Sequence, residues 1–221
     1  MIPRRLRVAA LGAACTASLM LCGCNIATPI LFAIEGPPKV EAVHTLDPDR
    51  STVIFVEDRS NRMPRRSLRG TVGKTAEQAL LAKKRIDDGK LISSASALRV
   101  AGEGTYSEPM PVVDVGRRLE AEVVIWVEVV SWTLSADGTG IKARAQATVK
   151  IVDALKNERI WPPQGGYPVT ADVERLAGTT NLSRSERHKL EEQLATMLGL
   201  RVAELFYTHE RESLRNQRAQ P

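Results

Sequence analysis

Val123-Val124-Ile125-Trp126-Val127-Glu128-Val129-Val130-Ser131-Trp132-Thr133-Leu134 is the stretch that decides the fold. Its first half is apolar at successive positions, as expected of a strand covered on both faces. Its second half gains polar positions and should leave the core. Turn chemistry follows at Asp137-Gly138-Thr139-Gly140. Beyond it Ile141, Ala143, Ala145, Ala147, Val149 and Ile151 alternate with Lys142, Arg144, Gln146, Thr148 and Lys150. That period of two predicts an antiparallel strand with one face in water. The small alanines predict a close neighbour on the buried face, a helix by preference. The even spacing of Trp126 and Trp132 places both indoles on one face.

Working outward, a turn at Lys156-Asn157 leads to a short strand, Glu158–Trp161, stopped by Pro162-Pro163. Residues 164–182 read as loop, with Gly165-Gly166 and Tyr167-Pro168. Ser183-Arg184-Ser185-Glu186 matches a capping box. The long helix behind it lines up Leu190, Leu194, Met197, Leu198, Val202, Leu205 and Phe206. Upstream, Val112–Ala121 reads as a short helix with Asp114 in its first turn, where a negative charge suits the dipole. Ser51–Asp58 is a buried strand, Thr75–Asp88 a helix capped by Thr75, and Leu91–Val100 either strand or helix. Between strand and helix lies a basic run, Arg59, Arg62, Arg65, Arg66 and Arg69, read as a solvated loop with an anion site as the alternative. The sum is an α/β class chain. It has a single domain, residues 51–212, with a mixed sheet, antiparallel hairpins, helices mainly on one face and a long C-terminal helix.

The chain begins with a leader pattern. Arg4, Arg5 and Arg7 precede an apolar stretch, Val8–Leu21, and then Leu21-Cys22-Gly23-Cys24. The apolar stretch is short for a membrane span of ~20 residues. The last four residues resemble the bacterial lipobox. That resemblance implies cleavage of residues 1–23, a thioether lipid on Cys24, and acylation of the new amino end. The protein is then expected in the cell envelope, lipid-anchored and facing the periplasm. Asn25 follows the cysteine, where an aspartate would favour the inner membrane, so the outer membrane is the expectation. Residues 24–50 become a tether, broken at Gly36-Pro37-Pro38, and residues 213–221 a polar tail. Cys24 would be the sole thiol after cleavage, which excludes internal disulfides, thiolate metal sites and a cysteine nucleophile. The formal charge of +5 falls to +2 once the three leader arginines leave, so basicity does not argue for nucleic acid.

No motif for chemistry survives inspection. Gly73-Lys74-Thr75 lacks the glycine a phosphate loop needs five residues before Gly73, where Leu68 stands. His44, His188 and His209 have no ligand spacing. The serines lack a nucleophile elbow. Asp87-Asp88 and Glu191-Glu192 read as solvated charge, and Glu128 as an acid where the sheet meets solvent. No catalytic residue, metal site or cofactor is expected.

Val115-Gly116-Arg117-Arg118-Leu119-Glu120-Ala121-Glu122-Val123-Val124-Ile125, then Ala145–Asp153 and Glu158–Trp161, resemble a layout of envelope lipoproteins. These are the curli-secretion and penicillin-binding-protein-activator types; the stretch is similar also to the amino-terminal domain of the Tol–Pal periplasmic component and to uncharacterised lipoproteins of Planctomycetes. The resemblance implies an α/β domain that works by contact with other envelope proteins, as scaffold, activator or assembly factor. Trp126 and Trp132 are the candidate partner surface. The alternative expectation is a lipid- or glycan-binding envelope module.

Overall fold

The computed structural model describes residues 38–104, 108–136, 140–176 and 182–210. The leader, Cys24 and the polar tail lie outside them. The chain divides into two compact units. In the smaller one, strand β1 (Lys39–Val40) pairs antiparallel with a strand at His209–Glu210, Lys39 opposite Glu210. The larger unit, Glu41–Thr208, carries everything else described here.

Its element order is β2 (Thr52–Glu57), α1 (Ser67–Ala82), β3 (Leu91–Ile92), α2 (Ser94–Ala101), α3 (Val112–Arg118), β4 (Val123–Ala136), β5 (Gly140–Asp153), β6 (Glu158–Trp161), β7 (Tyr167–Leu176) and α4 (Arg184–Glu204). The strand at His209–Glu210 is β8. The sheet runs β3-β2-β4-β5, and the far edge of β5 is shared by β6 and β7. β2 is parallel to both β3 and β4, whereas β4, β5, β6 and β7 form an antiparallel half. All six residues of β2 are buried, as the unbroken apolar run requires.

Helices lie mainly on one face. There α1 and α4 bury Leu68, Val72, Ala76, Leu80, Leu190, Leu194, Leu198 and Val202 against Ile54, Val56, Ile125, Val127 and the inward residues of β5. The row Ile141, Ala143, Ala145, Ala147, Val149 and Ile151 belongs to this core, and its small side chains let α4 approach. The helices themselves come close at Gly199. A Cβ there would stand 2.5 Å from the carbonyl oxygen of Val72, so only glycine fits without displacing α1. Two short helices, α2 and α3, cover a smaller part of the opposite face, packing Ala97, Val100, Val112 and Val115 on Val53, Phe55 and Val124.

Five expectations are corrected. The helix expected from Thr75 starts eight residues earlier and ends at Ala82, so Arg69 lies inside it. Its beginning has neither a side-chain cap nor an acid in the first turn, so the usual start signals are missing. Leu91–Val100 is neither strand nor helix alone: two residues pair with β2, then Ser93 caps α2 by accepting the N–H of Ala95. The stretch read as loop after residue 164 contains β7, whose Val169 and Ala171 are buried while Thr170 and Asp172 are exposed. Pairing with the long β5 stabilises it despite Pro168 at its start. Residues 41–50, expected in the tether, pack into the larger unit, with Leu46 in the core and the N–H groups of Val43 and His44 donating to the carbonyl of Leu205.

The fifth correction concerns the tryptophans. The β4–β5 register shifts between Val129 and Ser131, so Val130 is an extra residue. Such a bulge inverts the alternation beyond it. Before it, odd-numbered residues face α1 and α4; after it, even-numbered ones do. Trp126 therefore packs with the α2–α3 cluster and Trp132 with the main core, on opposite faces.

Candidate functional site

β2 is where the chain changes direction across the sheet. Its successor β3 lies on one side, reached over one face by α1; β4 lies on the other, reached through α2 and α3 over the opposite face. In open α/β sheets a crevice opens at the carboxyl ends of the strands at such a switch point. A cleft of about 510 Å³ lies there. Phe55 and Met110 give it an apolar lining, Gly102 and Gly104 bring backbone to it, and Glu57, Asp58, Arg59, Asn61, Arg66 and Arg69 supply its polar groups.

Its two acids are engaged by the protein itself. Glu57 is buried; one oxygen accepts from Arg59 Nε at 2.7 Å and the other from Trp126 Nε1 at 3.0 Å. Asp58 accepts the backbone N–H groups of Arg62 at 2.8 Å and Met63 at 2.9 Å, one on each oxygen, which shapes the loop after β2. Neither Arg66 nor Arg69 has a side-chain hydrogen bond or ion pair among the described residues. Arg65, between the cleft and α4, turns the other way: its Nε donates to Glu191 at 3.0 Å and its Nη1 approaches Glu192 at 3.2 Å. Glu191 is thus a buried partner, 4% exposed, and not the solvated charge expected from its doublet. Asp87 and Asp88 are exposed as expected. Gly73 and Lys74 lie inside α1, and a Cβ at Gly73 would meet Ser94, so this glycine serves helix packing.

The second region of interest is the outer part of the sheet on the α2–α3 side. The covering cluster reaches Trp126 and Ala154. Beyond them Lys142, Arg144, Gln146, Thr170, Asp172 and Glu174 are exposed, and Val130 is 49% exposed at the bulge. Charges cross the strands in pairs: Arg144 Nε to Asp172 at 2.6 Å, Lys142 to Glu174 at 3.8 Å and Lys150 to Glu128 at 3.0 Å. Hydrogen bonding to Asp172 holds the Arg144 guanidinium above its ordinary value. Glu128 meets solvent at the sheet surface, as expected, and Lys150 also lies over the Trp126 ring, 4.0 Å from its centroid. Trp126 is half-buried at the rim of this face. Trp132 is turned away from it, its Nε1 buried without a hydrogen-bond partner among the described residues.

The histidines stay apart. His44 stacks on Trp161 at 5.5 Å, and burial lowers its pKa. His188 is exposed on α4, and His209 lies in β8, past the helix expected to hold it. No group of three metal-binding side chains occurs among the described residues. A structural knot holds the sheet's other end. Arg50 joins Glu122 at 3.1 Å and Asp153 at 2.7 Å, and Asp153 also accepts the N–H groups of Leu155 and Lys156. Burial raises the Asp153 carboxyl, but the Lys156 N–H and the Arg50 guanidinium outweigh it and hold it below its ordinary value.

The sequence pointed to the basic run but not to its division. Arg65 belongs to the core side, while Arg66 and Arg69 line the cleft with residues from Phe55 to Met110. Among the described residues no helix is long and apolar enough to cross a membrane. No protein-family model matches the chain, and no curated protein matches it. Solved structures similar to the chain include three bacterial proteins. One is a point variant of the PelC dodecamer from Paraburkholderia phytofirmans, with 12% identity, 75% of this chain and 96% of that chain covered, and a TM-score of 0.41. Lipoprotein GNA1162 from Neisseria meningitidis has 14% identity, covers 77% and 99% in the same sense, and has a TM-score of 0.39. A minor lipoprotein from Acinetobacter baumannii has 12% identity, covers 70% and 90%, and has a TM-score of 0.37.

Proposed function

We propose that this chain is a lipid-anchored protein of the cell envelope, facing the periplasm from the outer membrane, that acts through contact with another envelope protein. Cys24 is the anchor, and the role is that of a scaffold, activator or assembly factor without catalysis. The observation that carries the reading is the open sheet face beyond the bulge. Three strands longer than most present a continuous surface there, with half-exposed Val130 and the half-buried Trp126 at its rim. Ordered cross-strand charges favour specificity in a contact more than raw affinity. Trp132 drops out of the candidate surface because it faces the core.

The test is in-cell photo-crosslinking from positions 130 and 170, with position 187 on α4 as a control and Cys24→Ala as the unanchored control. The expected outcome is one reproducible protein adduct from the sheet positions, absent from position 187 and lost without the anchor. Adducts of equal yield from all three positions would sink the reading. A second reading, a lipid- or glycan-binding envelope module, is favoured by the cleft at the end of β2.

A further inference from the structure

We propose that the cleft at the carboxyl end of β2 binds a phosphate monoester carried on an apolar group, with Arg66 and Arg69 as its anion-binding pair. This inference rests on the cleft alone and stands apart from the contact surface on the sheet.

The position is the first support. The cleft sits at the topological switch of the parallel strands, where the connecting helices leave over opposite faces. Its volume of about 510 Å³ suits a small ligand.

Charge is the second. The acids that share the cleft keep their charge but are hydrogen-bonded by the protein, and three arginines against two carboxylates leave the lining net positive. Both oxygens of Glu57 are held by Arg59 and Trp126, and both oxygens of Asp58 by backbone N–H groups. Arg66 and Arg69 have no such partners among the described residues. They are three positions apart at the start of α1, a spacing that sets two side chains beside each other on a helix. The 16-residue helix adds its positive end, which has no side-chain cap and no acid in its first turn. Arg50, Arg59, Arg65, Arg117, Arg118, Arg144 and Arg201 meet carboxylates, Arg59 among them in this same cleft, whereas Arg66 and Arg69 do not. Two guanidiniums left open in one cleft match a dianion, and their planar forks suit the geometry of phosphate oxygens.

The apolar lining is the third. Phe55, Ala101 and Met110 face the same space, so a bare inorganic ion would leave them unused. Phe55 is 3% exposed and anchored in β2, which makes that wall rigid. Asn61, at φ 49°, bounds the polar side.

Isothermal titration of phenyl phosphate into the purified full-length chain tests this. The expected result is saturable binding at one site per chain, tighter than inorganic phosphate and absent with phenol. The double variant Arg66→Gln/Arg69→Gln should weaken it about tenfold or more. Arg66→Lys/Arg69→Lys, which keeps the charge, should retain part of it. Arg187→Gln, at an exposed position of α4, should leave it unchanged. Circular dichroism and the melting temperature check that each variant folds. If the glutamine variant does not fold, Met110→Glu, which puts a like charge beside the anion, gives the same readout. Short-chain phosphatidic acid, titrated in the same way below its micelle concentration, separates the sources. Tighter binding than phenyl phosphate assigns a lipid headgroup; weaker binding assigns a free phosphorylated small molecule. No saturable binding of phenyl phosphate, or an affinity unmoved by the glutamine and glutamate variants, overturns the proposal.

Discussion

Replacing Asp153 by asparagine takes one charge out of the knot that ties β4, β5 and the segment before β2. The wild-type carboxylate accepts from Arg50 on one oxygen and from the N–H groups of Leu155 and Lys156 on the other. Asparagine keeps an oxygen for the two backbone donors. Its amide N–H then faces the guanidinium, so a charge-assisted contact is lost and replaced by a donor meeting a donor. A hydrogen bond to a charged group contributes about 1.5–3 kcal/mol. Arg50 retains Glu122 and its side chain is 26% exposed, so water softens the loss. The expected cost is about 2 kcal/mol at neutral pH. With a urea slope of about 1–3 kcal/mol/M, the unfolding midpoint drops by about 1 M. Tryptophan fluorescence follows the transition, since Trp126, Trp132 and Trp161 all lie on the sheet.

The pH dependence supplies a second constraint. The folded carboxyl lies below its ordinary value of 3.8, because the Lys156 N–H and Arg50 outweigh the effect of burial. A depressed folded value means that the stability is fully present above the unfolded pKa and is lost as pH falls through the folded one. The gap between wild type and Asp153→Asn should therefore be constant near neutrality and narrow in acid. A midpoint shift below about 0.2 M at pH 7, or a gap that keeps its full size down to about pH 2, refutes the reasoning.

Gly199→Ala should cost about 1–3 kcal/mol, read as a lower melting temperature, because its Cβ would stand 2.5 Å from the Val72 carbonyl oxygen and push α1 from α4. His44 should titrate below 6.5 in an NMR pH series, since burial disfavours its charged form. The stability from keeping it neutral is present above that value and is lost as pH falls below it.

Much of this fold was legible from side-chain alternation alone. β2, β4, β5 and the capped α4 announce themselves, because each repeats one rule over many residues. The failures share a physical cause: a tertiary contact overrode a local signal. β7 begins with Pro168 behind a glycine pair, yet pairing with ten residues of β5 makes it a strand. α1 begins in a basic run because α4 supplies Glu191 and Glu192 to Arg65. Glu191 is buried for the same reason. The cleft was illegible for another cause. Its lining comes from the end of β2, the start of α1 and the loop after α2, and no local pattern joins them.

The bulge at Val130 carries a consequence at the level of the gene. A codon gained or lost in a surface connection changes only the length of that connection. Losing the codon for Val130 would remove only the extra residue, because Val129 and Ser131 already face consecutive partners, Ala147 and Gln146, on β5. Trp132 and Leu134 would keep their places in the core. Losing the codon for Thr133 instead would turn Leu134 to water and carry Ser135 to the core opposite Ala143. In this protein, then, the bulge marks a place inside a strand where a triplet can be lost without changing which side of the sheet stays dry.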